Sequence, residues 1–320
     1  MYSSLLTWFA LWAASAVVAS PIANTSDCTR DFLKAATDTY LAAQTQGTPD
    51  TLLGKYATGN ITYTEDAIVR NLRTGVLSSP LAIVHNFSLL DTTQCATFTE
   101  LIVTDPRHPR VIGTQMRFVG KWLAKIETLV TKNGDWAFNA TGTLHYAEEE
   151  SKAGKWGPLQ DAERNTREVI QSAADAYLDL FNNKSVVVPW GTPCDRLEGS
   201  WYTGNGSQSD SCNVGVPSGV VITNRRYIID ELVGGVDAFV TFGSRPDSHM
   251  FRVAAGVIRQ VHTLTVMRNV TETTELLRPA NDDTPWSQRS KRLSTGTRTS
   301  TNDDTPWSKR TMRWQPRKMW

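Results

Sequence analysis

Residues Val257 to Val266 alternate as a β-strand does, which puts Gln260, His262, Leu264 and Val266 on one face. An earlier run, KWLAKIETLV from Lys121, sets Lys125, Glu127, Leu129 and Thr131 on the matching face. Both runs place an ionisable residue two positions ahead of a leucine, the arrangement of a polar group in an apolar wall. A histidine there can carry a proton near neutrality, and a buried glutamate can be raised towards the same range. The plainer role for either residue is a core hydrogen bond or exposure to solvent. A second group, Asn224 to Glu231, sets Arg226, Ile228 and Asp230 on one side of a strand with Tyr227 between them. Arg226 and Tyr227 suit an enolate or carbonyl oxygen through charge-assisted hydrogen bonds; Arg226 and Asp230 equally suit a cross-strand ion pair. His262, Arg226, Tyr227 and Asp230 are therefore the catalytic candidates.

Tyr40, Glu127, Tyr177 and Trp190 are the candidates for holding a substrate. Trp190, Trp201 and Tyr202 flank a long loop and form either an aromatic rim or local packing. Glu65, Asp66, His85, Glu100 and His145 lie in or beside strand-like runs without forming a recognisable triad. The chain has no nucleophile elbow, phosphate-binding loop or dinucleotide fingerprint, so no cofactor is expected. The cysteine and histidine spacings do not suit zinc, so no metal is expected either.

Two amphipathic helices must position these groups. Residues 166 to 182 place Ile170, Ala173, Ala174, Tyr177, Leu178 and Phe181 on one stripe, and residues 29 to 46 do the same with Leu33, Ala36, Tyr40 and Leu41. Asp38 to Leu41 matches Asp175 to Leu178 at an offset of 137, and Thr128-Leu129 matches Thr263-Leu264 at 135. A helix followed by strands is thus read twice. Strand-like runs follow the first helix from Ile61, Leu81, Cys95, Arg110 and Leu123, with a last one over Asp135 to Tyr146. After the second come runs from Val220, Val236, His249 and Val257. The expected fold class is α+β, with a first unit over 27–146, a charged linker over 147–165 in which Asp161 or Asn165 caps the next helix, and a second unit over 166–270. Residues 271–320 lack apolar periodicity and repeat NDDTPWS at 281 and 302, which reads as a disordered tail. Its dibasic pairs, Lys291-Arg292 and Lys309-Arg310, raise the further reading of a peptide precursor.

A formal net charge of +1 with scattered basic residues argues against a nucleic-acid partner. The apolar start, residues 1–19, reads as a secretory signal peptide, and no later stretch has the ~18 apolar residues of a membrane span. Secretion, to the exterior or a vesicle, suits two disulfides among Cys28, Cys95, Cys194 and Cys212. If each unit folds alone, Cys28 pairs with Cys95 and Cys194 with Cys212. Sequons at Asn24, Asn60, Asn86, Asn139, Asn183, Asn205 and Asn269 make it a candidate glycoprotein.

A helix laid across a strongly curved antiparallel sheet leaves an apolar pocket in the concavity, so an apolar small molecule is the expected ligand. The segments SLLDTTQCATFTELIVTD, VIGTQMRF, GDWAFNATGTLHY, AYLDLFNNKSVVVPWGTPCDRLEG, SCNVGVPSGVVITNRRYIIDE and PDSHMFRV resemble secreted fungal proteins with tandem nuclear-transport-factor-like, SnoaL-related cone domains. The resemblance implies two tandem cone-shaped units whose sheets can pair face to face, hence a possible homodimer. It also implies a place in secondary metabolism, with the hetero-Diels–Alderases that join a tropolone quinone methide to a humulene-type sesquiterpene as the active comparison. A non-catalytic small-molecule-binding protein is the alternative.

Overall fold

The computed structural model describes residues 27–268. Its first helix, α1 (Arg30–Gln46), starts where the Thr29 hydroxyl accepts from the Phe32 amide and buries Leu33, Ala36, Tyr40 and Ala43. Gly47 ends it in the left-handed region, φ 66°, and a Cβ there would lie 2.7 Å from Pro80 N, so only glycine closes this turn. The short α2 (Pro49–Tyr56) carries proline at its first position, where no amide donor is needed. Strands β1 (Thr62–Glu65), β2 (Ile68–Val69), β3 (His85–Asp91), β4 (Ala96–Val103), β5 (Arg110–Val119) and β6 (Trp122–Thr131) follow. Then come α3 (Ala140–Lys152) and α4 (Arg167–Leu180). The remaining strands are β7 (Trp190–Glu198), β8 (Trp201–Tyr202), β9 (Ile222–Asp230), β10 (Gly235–Phe242), β11 (Arg245–Ala254) and β12 (Val257–Thr265).

These strands make two six-stranded sheets, ordered β2-β1-β6-β5-β4-β3 and β8-β7-β12-β11-β10-β9. Each strand of the first sheet has the place of the strand six later in the second. The sheets even share their one parallel pairing, β1 with β6 and β7 with β12. The fold is α+β, and the repeat seen in the helices extends to strand order.

Each sheet has two covered faces, which explains why β4 is buried along its whole length. Leu101 and Val103 face α1 in a core that also holds Leu33, Tyr40, Ile112 and Ile126. Ala96, Phe98 and Leu129 turn the other way and pack with Ile228, Phe239 and Met250 of the second sheet. Phe98 and Phe239 meet edge to face, 6.1 Å between centroids. A fully buried phenylalanine contributes about 1.5–3 kcal/mol, so this junction is a core in its own right. Glu127 and His262 share the face of Leu129 and Leu264, as the alternation predicts, and that face looks across the junction, away from α1 and α4, with Leu264 and His262 meeting α3.

Four expectations are corrected. Asp135 to Tyr146 is not a strand: Asn139 caps α3 by accepting from Gly142 N, and the buried Ala140, Thr143, Ala147 and Glu150 recur at helical spacing. Residues 147–165 do not run as a free linker, because α3 continues to Lys152, Trp156 and Leu159 are buried, and Leu159 N bonds Leu232 O. The long loop after α4 holds β7 and β8, and Thr166, in place of Asp161 or Asn165, occupies the N-cap of α4. The Arg167 amide is satisfied instead by Glu231 Oε1 at 3.1 Å.

The disulfides join Cys28 to Cys95 and Cys194 to Cys212, which fits an oxidising compartment. The first spans 67 residues against 18 for the second, so loop-closure entropy gives it the larger share, about 4 kcal/mol against about 3. A Cys28→Ser, Cys95→Ser variant is expected to lose more denaturation free energy than a Cys194→Ser, Cys212→Ser variant in matched urea titrations. Among the described residues, no helix is long and apolar enough to cross a membrane. Asn60, Asn86, Asn139, Asn183 and Asn205 are all exposed, as sequon use requires. The signal segment, the tail repeat, Asn24 and Asn269 lie outside the described residues.

Candidate functional site

A cavity of about 40 Å³ opens at the junction, lined by His85, Asn86, Phe87, Glu100, Ala147, Ser151, Trp156, Met250 and His262. It draws on β3, β4 and α3 and on β11 and β12, so neither helix-and-sheet unit builds it alone. His262 sits between two carboxylates, with Nε2 2.8 Å from Glu150 Oε2 and Nδ1 3.3 Å from Glu100 Oε1. The three residues are 5%, 3% and 1% exposed for His262, Glu100 and Glu150, so bulk water screens these charges weakly. Burial disfavours the imidazolium, but Glu150 and Glu100 outweigh it and push His262 up to about 10. Glu150 responds in kind: burial would raise its carboxyl, yet His262, Trp156 and Tyr202 together hold it below the ordinary range. His85, across the cavity, is lowered chiefly by burial, so it is a neutral imidazole at neutral pH.

A hydrogen-bonded chain leads from this imidazolium outward. Glu150 also accepts from Trp156 Nε1 at 2.6 Å and from the Tyr202 hydroxyl at 2.9 Å, and Lys155 Nζ donates to that hydroxyl at 3.2 Å. Lys155 pairs with Asp195 as well. Trp156 stands edge-on to the His262 ring at 5.1 Å and closes over Phe87 at 5.1 Å. Chemically the arrangement offers one proton donor fixed as a cation, one carboxylate and one neutral imidazole in the same small space.

Of the four catalytic candidates only His262 reaches this cavity, where it meets His85 and Glu100 from the weaker group. Arg226 and Glu127 form a separate ion pair across the junction, Nε to Oε1 2.9 Å, with Lys125 Nζ 3.2 Å from Oε2. Burial alone would raise the Glu127 carboxyl, but Arg226, Lys125 and Arg117 bring it down to about 2. Tyr227 donates to Asp175 of α4, which also receives Arg225 at 2.8 Å. Asp230 accepts both terminal nitrogens of Arg30 at 2.8 and 2.9 Å and the Leu90 amide at 2.9 Å. Its counterpart Asp91 accepts Arg167 at 2.8 and 2.7 Å and the Ile229 amide at 2.9 Å. Each unit thus anchors the first arginine of its helix on the last aspartate of the other unit's edge strand. Tyr40 and Tyr177 lie on the helix side of their sheets: Tyr40 Oη is 2.8 Å from Thr114, while Tyr177 packs on Trp190, Phe181, Phe251 and His249. Aromatic rings fill the space between α4 and its sheet.

Sequence reasoning missed Glu150, Trp156 and Asp237. The first two fell in a segment read as linker, although Glu150 continues the Ala140, Thr143, Ala147 spacing. Asp237 is wholly buried at the junction, bonded by Ser248 Oγ at 2.6 Å and by Gln115 Nε2 at 2.7 Å. Burial raises it to about 8 despite those two hydrogen bonds. The unfolded chain releases this proton near 3.8 while the folded chain keeps it, so stability falls as pH rises from about 4 to 8, by up to about 1.4 kcal/mol per pH unit. An Asp237→Asn variant is expected to lose that slope, so that its melting temperature relative to the native chain climbs between pH 5 and 8 in thermal scans.

Residues 163–265 match a family described as a domain of unknown function (DUF8021). The match covers α4 and β7 to β12, about a third of the chain, and includes His262 but neither Glu100 nor Glu150. Comparison with curated proteins finds no match.

Proposed function

We propose that the protein is a secreted small-molecule-binding protein with acid–base capacity, whose ligand places a polar group in the junction cavity beside His262. The observation that carries this reading is an imidazolium held between two buried carboxylates in the wall of a cavity. A purely structural junction is served more cheaply by apolar packing, since buried ion pairs are often no better than hydrophobic replacements. The two units are read as tandem cones, each a helix across a curved sheet, and the second copy of the sheet covers the face through which such domains pair. The chain is accordingly expected to sediment as a monomer, and a dimer mass in analytical ultracentrifugation would overturn that part of the reading.

The same cavity keeps the pericyclase reading in play, because Phe87, Trp156 and Met250 supply an apolar wall beside a proton donor. Ligand pockets that enclose whole organic molecules run to about 300–1,000 Å³. A cavity of about 40 Å³ admits about three water-sized groups, so it takes a polar head and not two joined reactants. Binding therefore leads. The test is a thermal-shift screen of small organic acids, alcohols and amines against the native protein and a Glu100→Gln variant. A ligand that stabilises the native protein alone supports the site, and equal responses from both proteins place binding elsewhere. Incubation with a hydroxymethyl tropolone and a humulene alcohol decides the cycloaddition: product above a protein-free control, lost in His262→Gln, would restore it.

A further inference from the structure

We propose that the group bound in the junction cavity is a primary ammonium on an organic ligand, an inference that rests on the small-molecule reading of this site. Glu100 is 3% exposed and lines the cavity, yet its only hydrogen-bonding contact among the described residues is the 3.3 Å one between Oε1 and His262. Its second oxygen is left without a protein donor. That oxygen is not sealed in the core: it opens on the cavity, where a bound group can donate to it.

The charge count points the same way. Among the lining side chains Glu100 is the one carboxylate and His262 the one cation, and Glu150, outside the lining, adds a second negative charge on the other nitrogen of the His262 ring. One negative charge is left over in a small, poorly screened space. Lys155, the nearest candidate to offset it, is already committed to Asp195.

The remaining walls fit the shape of an ammonium. An ammonium has three donors and no acceptor, and the cavity offers acceptors in the Glu100 carboxylate, the neutral His85 imidazole and the Ser151 hydroxyl. Trp156 and Phe87 supply ring surface of the kind that favours an organic cation over a hydrated metal ion. A carboxylate or phosphate ligand would instead meet Glu100 with like charge.

The experiment is isothermal titration of the full-length protein with methylammonium, ethylammonium, sodium, acetate and ethanol as chlorides or sodium salts at constant ionic strength, repeated on Glu100→Gln. Binding of the two alkylammonium ions, weakened at least tenfold in Glu100→Gln and absent for sodium, is expected. Binding of acetate or ethanol without the ammonium ions would overturn the ammonium assignment while leaving a small-molecule site. Saturable binding of sodium at equal strength would make it an inorganic cation site and also overturn the assignment. No binding by any probe would remove both. Circular dichroism of Glu100→Gln, with retained fold, guards the comparison.

Discussion

Replacing His262 by glutamine is expected to lower stability by about 3–5 kcal/mol, because it leaves Glu100 and Glu150 buried without their shared cation. The pH dependence separates this cause from lost packing. A histidine whose folded value is raised contributes stability that is complete below its unfolded value of about 6.5 and is lost as pH climbs through its folded value of about 10. The native protein should therefore lose stability between pH 6.5 and 10 more steeply than His262→Gln, and the two urea midpoints should converge at the alkaline end. Removing one carboxylate as well, in His262→Gln with Glu100→Gln, should recover part of the loss, since coupled neighbours do not add. A constant offset between native and variant across this range would show that the ring contributes by shape alone.

The second large effect is expected at Asp91. Its carboxylate accepts two bonds from Arg167, the Ile229 amide across the junction, and the Thr93 and Gln94 amides of its own turn. Asp91→Ala leaves the Arg167 side chain, 15% exposed, without its partner and strands a buried amide of the other unit. A loss of about 3–5 kcal/mol is expected. The exchange partner gives an internal control. Arg30 pairs with Asp230 in the same way, but its side chain is 37% exposed and can turn to water. Arg30→Ala should therefore cost clearly less than Arg167→Ala in denaturant midpoints. Equal losses would mean that burial does not set the strength of the two anchors.

The chain discloses its repeat and its strand faces readily, and its site poorly, for reasons that can be named. Period-two alternation puts His262 with Leu264 and Glu127 with Leu129 whatever the tertiary fold, because successive side chains of a strand must point oppositely. Alternation does not say which side meets a helix and which meets another sheet when both sides are covered. The helix side held Tyr40 and Tyr177, and the junction took the ionisable residues. Glu148, Glu149 and Glu150 read together as a solvated run, and only the fold reveals that the last of them turns inward beneath Trp156 and Tyr202. Asp91 and Asp230 each close their strand, but their partners lie 76 and 200 residues away, beyond any local pattern. Asn139 is legible as a sequon and also as a helix cap, and the alternating Trp136, Phe138 and Ala140 mask the second role.

The most direct test of the junction site is a nitrogen-15 NMR titration of the histidine rings in the full-length protein, with the His262 resonance assigned by its absence in His262→Gln. That ring is predicted to keep both N–H protons through pH 8 and to titrate near 10, and its shift should move when methylammonium is added. Titration of the same ring near the ordinary 6.5, with no response to any small ligand, would contradict the account.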